Sequence, residues 1–262
     1  MRHPLFSKTK YFILDMDGTF YLGGRMLPGA DVFVRALGNF GLDYRFFSNN
    51  SSHAALSCRE KLAGMGFPVE EDRVLLSTHV AADFLQILHP GAGVFALGNE
   101  NMHAELHAAG IRLVNDRPDI LLLGFDTTLS YEKITRAANW IAQGVPYFAT
   151  HPDVNCPADG GFLPDTGSMI ALFSASAGRT PVILGKPMRS TVDFLCRKLR
   201  CAPEALAFVG DRLETDIAIG VTHGIPAVLV LTGVATRESH TVSSIKADLV
   251  VEDLAALGQY LS

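Results

Sequence analysis

The sequence predicts an α/β protein in which a parallel sheet carries helices on its faces. Two patterns predict it. Apolar runs of four to six residues alternate with longer stretches of helical period, and Gly and Pro punctuate nearly every junction. That alternation is the signature of strands buried on both faces and joined by crossover helices. The number of strand candidates, about ten, exceeds what one simple doubly wound unit needs, so a second α/β unit is expected.

Taken in order, the first strand is Tyr11 to Leu14, the first helix runs from about Asp31 to Phe40, and the second strand is Tyr44 to Phe47. Further strands are read at Val74–Leu76, Val94–Leu97, Ile120–Gly124, Tyr147–Ala149, Val182–Leu184, Leu206–Val209, Ala227–Leu231 and Leu249–Val251. Between them, Tyr131–Gln143 shows Ile134, Ala137, Ala138 and Ile141 at i, i+3, i+4 and i+7, the stripe of a helix lying on a sheet.

Composition excludes several function classes. At 262 residues and 48% hydrophobic, the chain can bury a substantial core and is not intrinsically disordered. Its 22 basic against 27 acidic residues give a net charge of −5, without the basic footprint of a nucleic-acid binder. No apolar run approaches the roughly 20 residues of a bilayer span. Asp15 and Asp17 interrupt the stretch where a signal peptide would need an apolar core, so the expected location is the cytoplasm. The 4 cysteines are too few and too irregular for a disulfide framework or a zinc knuckle and read as reduced thiols. A small-molecule partner remains.

Four strand ends carry the chemistry. The first strand runs into Asp15-Met16-Asp17-Gly18-Thr19, two acids that repel unless a cation or a proton lies between them, which suits Mg²⁺. Alone, such a pair reads equally as a helix-capping turn. The second strand ends in Ser48-Asn49-Asn50-Ser51, a group of hydroxyls and amides suited to an oxyanion, although Ser51 or Ser52 also fits a helix N-cap. Val182–Leu184 leads into Gly185-Lys186-Pro187, and Leu206–Val209 into Gly210-Asp211, with Asp216 five residues beyond. In an open parallel sheet ligands gather at strand carboxyl ends, so these groups are expected along one edge of one sheet. Carboxylates, a lysine and short polar side chains in one place suit phosphoryl transfer.

The order Asp-x-Asp-Gly-Thr, Ser-Asn, Gly-Lys-Pro and Gly-Asp-x-x-x-x-Asp resembles the four motifs of the haloacid-dehalogenase-like hydrolase superfamily, over Asp15 to Asp216. The resemblance implies a Rossmann-like core and an aspartyl-phosphate mechanism. Asp15 would be the nucleophile, and Asp17 the acid for the leaving oxygen and then the base for water. Ser48 and Lys186 would hold the phosphoryl group, with Gly18, Asn49 and Asn50 beside the substrate. Mg²⁺ would be held by the side chains of Asp15 and Asp211 and the carbonyl of Asp17, with Asp216 just outside its direct ligands.

Spacing narrows the resemblance. From Ser48 to Lys186 is 138 positions, room for a whole domain. An insert there is similar to the large α/β (type C2) cap of subfamily IIA, which contains p-nitrophenyl and nucleotide monophosphatases. The expected division is a core of residues 1–78 and 180–262 with a cap at 79–179, whose surface could also join a homodimer. Thr150-His151-Pro152-Asp153, followed by Pro157, Gly160-Gly161, Pro164 and Thr166-Gly167-Ser168, resembles that subfamily's cap-to-core segment. The second residue of that segment is ordinarily Asn, and His151 departs from it. On a loop carried by a rigid scaffold, His151 and Asp153 are candidate substrate contacts.

The implied activity is a Mg²⁺-dependent phosphomonoesterase acting on a small phosphorylated metabolite. The alternatives are a phosphometabolite sensor without turnover and a phospho-accepting signalling module. Receiver modules are about half this length and carry the accepting Asp on a middle strand. The pair His103 and His107 lacks the Glu spacing of a metalloprotease and reads as a solvated helix face. Gly91-Ala92-Gly93 precedes its strand and is no dinucleotide fingerprint; Gly185-Lys186 lacks the rest of a Walker loop.

Overall fold

The computed structural model describes residues 3–158 and 160–261. The chain begins with β1 (Tyr11–Leu14), a short hairpin of β2 (Tyr21–Leu22) and β3 (Arg25–Met26), then α1 (Ala30–Asn39), β4 (Asp43–Ser48), α2 (Ala55–Gly64) and β5 (Val74–Leu76). There follow α3 (Ser77–Leu88), β6 (Gly93–Leu97), α4 (Glu100–Ala108), β7 (Arg112–Leu113), β8 (Ile120–Leu123), α5 (Tyr131–Ala142) and β9 (Tyr147–Ala149). A hairpin of β10 (Asn155–Ala158) and β11 (Gly161–Pro164) leads to α6 (Thr166–Ala177), β12 (Val182–Ile183) and α7 (Arg189–Leu199). The rest is β13 (Leu206–Gly210), a π turn Leu213–Ile217 running into α8 (Ala218–His223), β14 (Ala227–Val230), α9 (Arg237–Val242), β15 (Leu249–Val251) and α10 (Leu254–Gly258).

Two compact units result. One takes the chain up to Ser48, Cys58–Leu75 and everything from Leu195 onward; the other takes Asn49–Ser57 and Leu76–Phe194.

The first unit holds a six-stranded sheet in the order β15-β14-β13-β1-β4-β5, with β1 central and parallel to both β13 and β4. Its strands are apolar because both faces are covered: Phe12, Ile13 and Leu14 on β1 and Phe46 and Phe47 on β4 are all buried. On α1 the buried residues are Ala30, Phe33, Val34 and Leu37, one face at i, i+3, i+4 and i+7. Phe33 meets Phe12 edge-on with centroids 5.8 Å apart, and Phe20 stands 4.8 Å from Phe46. Each such ring contributes roughly 1.5–3 kcal/mol by leaving water. This rigid layer fixes the carboxyl ends of β1 and β13.

The second unit holds a five-stranded sheet in the order β12-β9-β8-β6-β7, parallel throughout its paired strands. Its core gathers Phe95, Leu121, Leu123, Ala137, Ile141, Tyr147 and Phe173, with Ile134 and Ala138 packed against it, so the stripe read on α5 faces the sheet.

One expectation is corrected here. The strand before Lys186 was assigned to the same sheet as Asp15, but β12 pairs with β9 of the second sheet, Val182 opposite Phe148 and Ile183 opposite Ala149. The zip continues past the strand, where the N–H groups of Leu184 and Gly185 donate to the carbonyls of Ala149 and Thr150 at 2.9 and 2.8 Å. Alternation of apolar runs distinguishes strand from helix but carries no information about which sheet a two-residue strand joins.

No helix among the described residues is long and apolar enough to cross a membrane.

Candidate active site

In the first unit, Asp15 follows the central strand, and its N–H donates to the carbonyl of Val209 on β13 at 2.9 Å, which pins it at the sheet's edge. The chain then turns sharply. Phe20 and Tyr21 return their N–H groups to the carbonyl of Met16, and Gly18, at φ +85°, donates to Tyr21 at 2.7 Å. Glycine is required at 18 for space as well as for its left-handed backbone, because a Cβ there would run into the carboxylate of Asp211. The Gly18 carbonyl accepts from the Thr232 hydroxyl at 2.6 Å. Both backbone groups of Gly18 are thus engaged within the protein.

Asp211 lies just past β13 and is 1% exposed. Its Oδ2 accepts from the Val234 N–H at 2.7 Å, and a longer contact of 3.4 Å comes from the Thr19 hydroxyl. A Cβ at Gly233 would also strike it. Asp216 is equally buried, and the π turn carries it back so that Oδ2 accepts from the Arg212 N–H at 3.1 Å. A Cβ at Gly210 would collide with Asp216.

Carboxylate oxygens of Asp15, Asp211 and Asp216 all lie within 4.8 Å of one another, the metal-capable group among the described residues. Burial first, and the neighbouring Asp216 second, push Asp211 up to about 6. Three hard oxygen donors, two of them desolvated and held by backbone amides, fit a small divalent cation such as Mg²⁺. The sequence reading placed Asp216 behind the ligands; here its oxygen is in the same group. The Asp17 carboxylate is outside that group, and its expected contribution is its carbonyl.

In the second unit the organising residue is Asn49, 6% exposed and next in the chain to Ser48 at the end of β4. Its Oδ1 accepts the Lys186 N–H at 3.0 Å, and its Nδ2 donates to the Lys186 carbonyl at 3.1 Å and to Asp153 Oδ2 at 3.0 Å. The Asn49 carbonyl accepts from the Ser77 hydroxyl. The carboxamide thus bonds both Lys186 and Asp153. Lys186 itself is buried, and Gly185 before it has no room for a Cβ against Thr150 and Asn49.

His151 is completely buried. Its Nδ1 faces Asp153 Oδ2 at 3.2 Å, while Nε2 faces Thr166 Oγ1 at 3.1 Å, Ser51 Oγ at 3.4 Å and Asp165 Oδ1 at 3.6 Å. Asp165 caps the start of α6. Burial raises its carboxyl above the usual range, and the charge of His151 opposes that rise.

Neither Ser51 nor Ser52 caps α2. Ser51 accepts the Phe125 N–H at 2.8 Å, Ser52 bonds Asn50 Oδ1 through both its N–H and hydroxyl, and the first N–H of α2, on Ala55, goes to Glu105. Glu105 also pairs with His79 at 2.9 Å, a role that the sequence reading of the His103–His107 segment missed. His103 directs Nε2 to the Ala96 carbonyl at 3.0 Å. A cavity of about 450 Å³ lined by Phe95, His103, Lys133 and Arg136 shares no residue with either cluster.

A family model for haloacid dehalogenase-like hydrolases matches residues 12–112, and a second model for HAD-like hydrolases matches 183–257. The acid sugar phosphatase of Staphylococcus epidermidis is 33% identical over 228 residues, which cover 87% of this chain and 88% of that protein. The crystal structure of a 4-nitrophenylphosphatase from Thermotoga maritima superimposes with a TM-score of 0.95 at 39% identity, covering 99% of this chain and 100% of that one. A glycerol phosphate phosphatase from Mycobacterium tuberculosis, solved with magnesium, gives a TM-score of 0.89 at 30% identity, over 99% of this chain and 79% of that one.

Proposed function

Because the chain belongs to the haloacid dehalogenase-like hydrolases, in the subfamily with a large α/β cap between its second and third motifs, we propose that it hydrolyses small phosphate monoesters through an aspartyl-phosphate. The observation that carries this reading is the group of Asp15, Asp211 and Asp216, converged by glycines that leave space for nothing else. It needs a cation to be neutral, and a phosphate ester needs the same cation.

Asp15 attacks phosphorus, and the bond to the ester oxygen breaks as Asp17 gives that oxygen its proton. Water then attacks the phosphorus of the aspartyl-phosphate, Asp17 takes the water's proton, and phosphate leaves with Asp15 restored. Bound Mg²⁺ would neutralise charge on the phosphoryl oxygens, held by Asp15, Asp211 and the Asp17 carbonyl, with Asp216 supporting. Lys186 and Ser48 supply further charge and hydrogen bonding to the same oxygens, an assignment that rests on the order of the motifs. Gly18, Asn49, Asn50, His151 and Asp153 are candidates for substrate contact. The proposed cap is residues 79–179 and the core 1–78 and 180–262, with β12 pairing beyond that boundary onto β9 of the second unit.

Sugar phosphates are the first substrates to test, given the relatives' activities, with nucleoside monophosphates next. The cytoplasm is the proposed location. A homodimer through the cap is supported by the exposed Val154, Phe162 and Leu163, and light scattering of a Phe162→Glu variant would test it.

The deciding experiment is steady-state hydrolysis of p-nitrophenyl phosphate and a panel of metabolite esters with and without Mg²⁺. Asp17→Asn is expected to lower kcat by about 10²-fold, the scale of a positioned general acid; an unchanged rate removes Asp17 from the mechanism. Wild type no more active than Asp15→Asn on every ester would make the protein a sensor.

A further inference from the structure

Cys196 lies in the last turn of α7, and Cys201 follows just past its end, both in the first unit. The chain between them closes as a Schellman motif. Arg200 takes the left-handed conformation at φ 51°, its N–H donates to the Arg197 carbonyl at 3.3 Å, and the Cys201 N–H donates to the Cys196 carbonyl at 3.1 Å. In that motif the two residues joined by the outer bond also bring their side chains together, ordinarily as an apolar contact. Here both are cysteines, and the Cys196 thiol bonds to the sulfur of Cys201.

Both thiols are half-buried and reduced, whereas Cys58 is buried. Around them the surface is basic: Arg197, Lys198 and Arg200 are exposed, as is Lys10, whose charge reaches Cys201. Glu204 is the one acid between Phe194 and Gly210. Burial pushes the Cys201 thiol above its usual range, while the bond from Cys196 and the charge of Lys10 oppose that rise. Among the described residues, no third metal-ligating side chain joins the pair, and two sulfurs alone do not close a tetrahedral metal site. Two adjoining thiols under a cationic surface suit exchange with an anionic disulfide.

We propose that Cys196 and Cys201 are a redox-active dithiol, converted to an intrachain disulfide by a small anionic disulfide of the oxidised-glutathione class. The thiolate of one cysteine attacks a sulfur of the small disulfide, which forms a mixed disulfide and releases one small thiolate. The second cysteine, as its thiolate, then attacks the protein sulfur of that mixed disulfide and releases the other. Two electrons pass from the cysteines to the small disulfide, which leaves as two thiols carrying the protons the cysteines lost. The new bond staples the end of α7 to the segment that enters β13. None of this rests on the phosphatase reading.

Trypsin cuts after Arg197, Lys198 and Arg200, so Cys196 and Cys201 fall on separate peptides that only a disulfide keeps together. Reduced wild-type protein is treated with oxidised glutathione, alkylated with iodoacetamide, digested and weighed. The expected product is the cross-linked pair of peptides, about 2 Da lighter than their sum and separated again by dithiothreitol. A mixed disulfide with glutathione that never closes, or a link from either residue to Cys58 or Cys156, overturns the pairing. In Cys196→Ser and Cys201→Ser the remaining thiol can go no further than the mixed disulfide, which should accumulate in at least one of them. If neither variant gains glutathione, the exchange route is wrong. For the anionic partner the measurement is the rate of closure in the wild type at low salt. Oxidised glutathione should act about tenfold faster than cystamine, a cationic disulfide, and the gap should narrow as salt rises. Equal rates, or a faster reaction with cystamine, overturn the anionic preference.

Discussion

Asp15, Asp211 and Asp216 collect three like charges and support them with backbone N–H groups and absent Cβ atoms. Asn49 does the reverse: its amide donates to Asp153 and to the Lys186 carbonyl while its oxygen accepts the Lys186 N–H. The first arrangement gathers like charges, and the second alternates donors with acceptors. Buried polar groups stay put when they are satisfied, and they call for a ligand when they are not. The proposed mechanism puts the reacting residues in the first arrangement and residues that hold others in place in the second, although both kinds are acids and amides at the ends of strands.

The strongest way to break that contrast is to neutralise the reacting cluster. Asp15→Asn should reduce turnover of p-nitrophenyl phosphate by about 10⁴-fold or more, the scale of losing a nucleophile, while the protein stays folded because one repelling charge is gone. Residual turnover within tenfold of wild type would show that Asp15 is not the attacking group. Gly18→Ala attacks the same cluster through space: its Cβ displaces Asp211, and the left-handed backbone adds strain of order 1 kcal/mol. The Mg²⁺ concentration for half-maximal activity should rise about tenfold, a ΔΔG of about 1.4 kcal/mol, and an unchanged value would mean Asp211 has room to spare.

In the matched network the expectation is a loss of stability first. Asn49→Ala strands both backbone groups of Lys186 and one oxygen of Asp153, which should lower unfolding free energy by about 1–3 kcal/mol for a buried group left unmatched. Chemical denaturation measures it, and a change below about 0.5 kcal/mol would demote the network to ordinary surface bonding.

The smallest effect sharpens the charge deficit itself. Asp211 is pushed up to about 6, so without a cation the native protein keeps a proton that the unfolded chain releases near pH 3.9. The folded state then binds more protons than the unfolded one, and this group's contribution to stability falls as pH rises from about 4 to about 6. Above that window Mg²⁺ meets an ionised carboxylate, and below it must displace a proton. The rise in Tm on adding Mg²⁺ should be larger at pH 7.5 than at pH 5, by a few degrees at most, on the order of 1 kcal/mol. Equal rises would place the ion elsewhere.

Much of this was legible in the chain. Tyr147–Ala149 and Leu249–Val251 are strands with the limits their apolar runs suggested, and β1 delivers Asp15 where the first motif requires it. Local pattern worked there because burial on both faces demands continuous apolar residues. It failed where long-range pairing decides. The hairpins β2–β3 and β10–β11 hold residues as exposed as Leu22 and Phe162, without a period to read. The membership of β12 depends on its partner β9, and the task of Asn49 depends on Asp153 and Lys186, 104 and 137 positions away. Asp216 joins the acids because a π turn, which adds a residue to the helical repeat, swings it back, whereas the motif spacing placed it only behind the direct ligands.

Gly18, Gly210 and Gly233 bound the acids with atoms they do not have. A glycine can change only by gaining atoms, so at these three positions every substitution moves in the same direction, into a carboxylate. An error elsewhere in a core can be absorbed by a neighbour shrinking; here the neighbour is the reactive group and has nothing to give up. Whatever the acids do, the glycines beside them are where drift in this protein has nowhere to go.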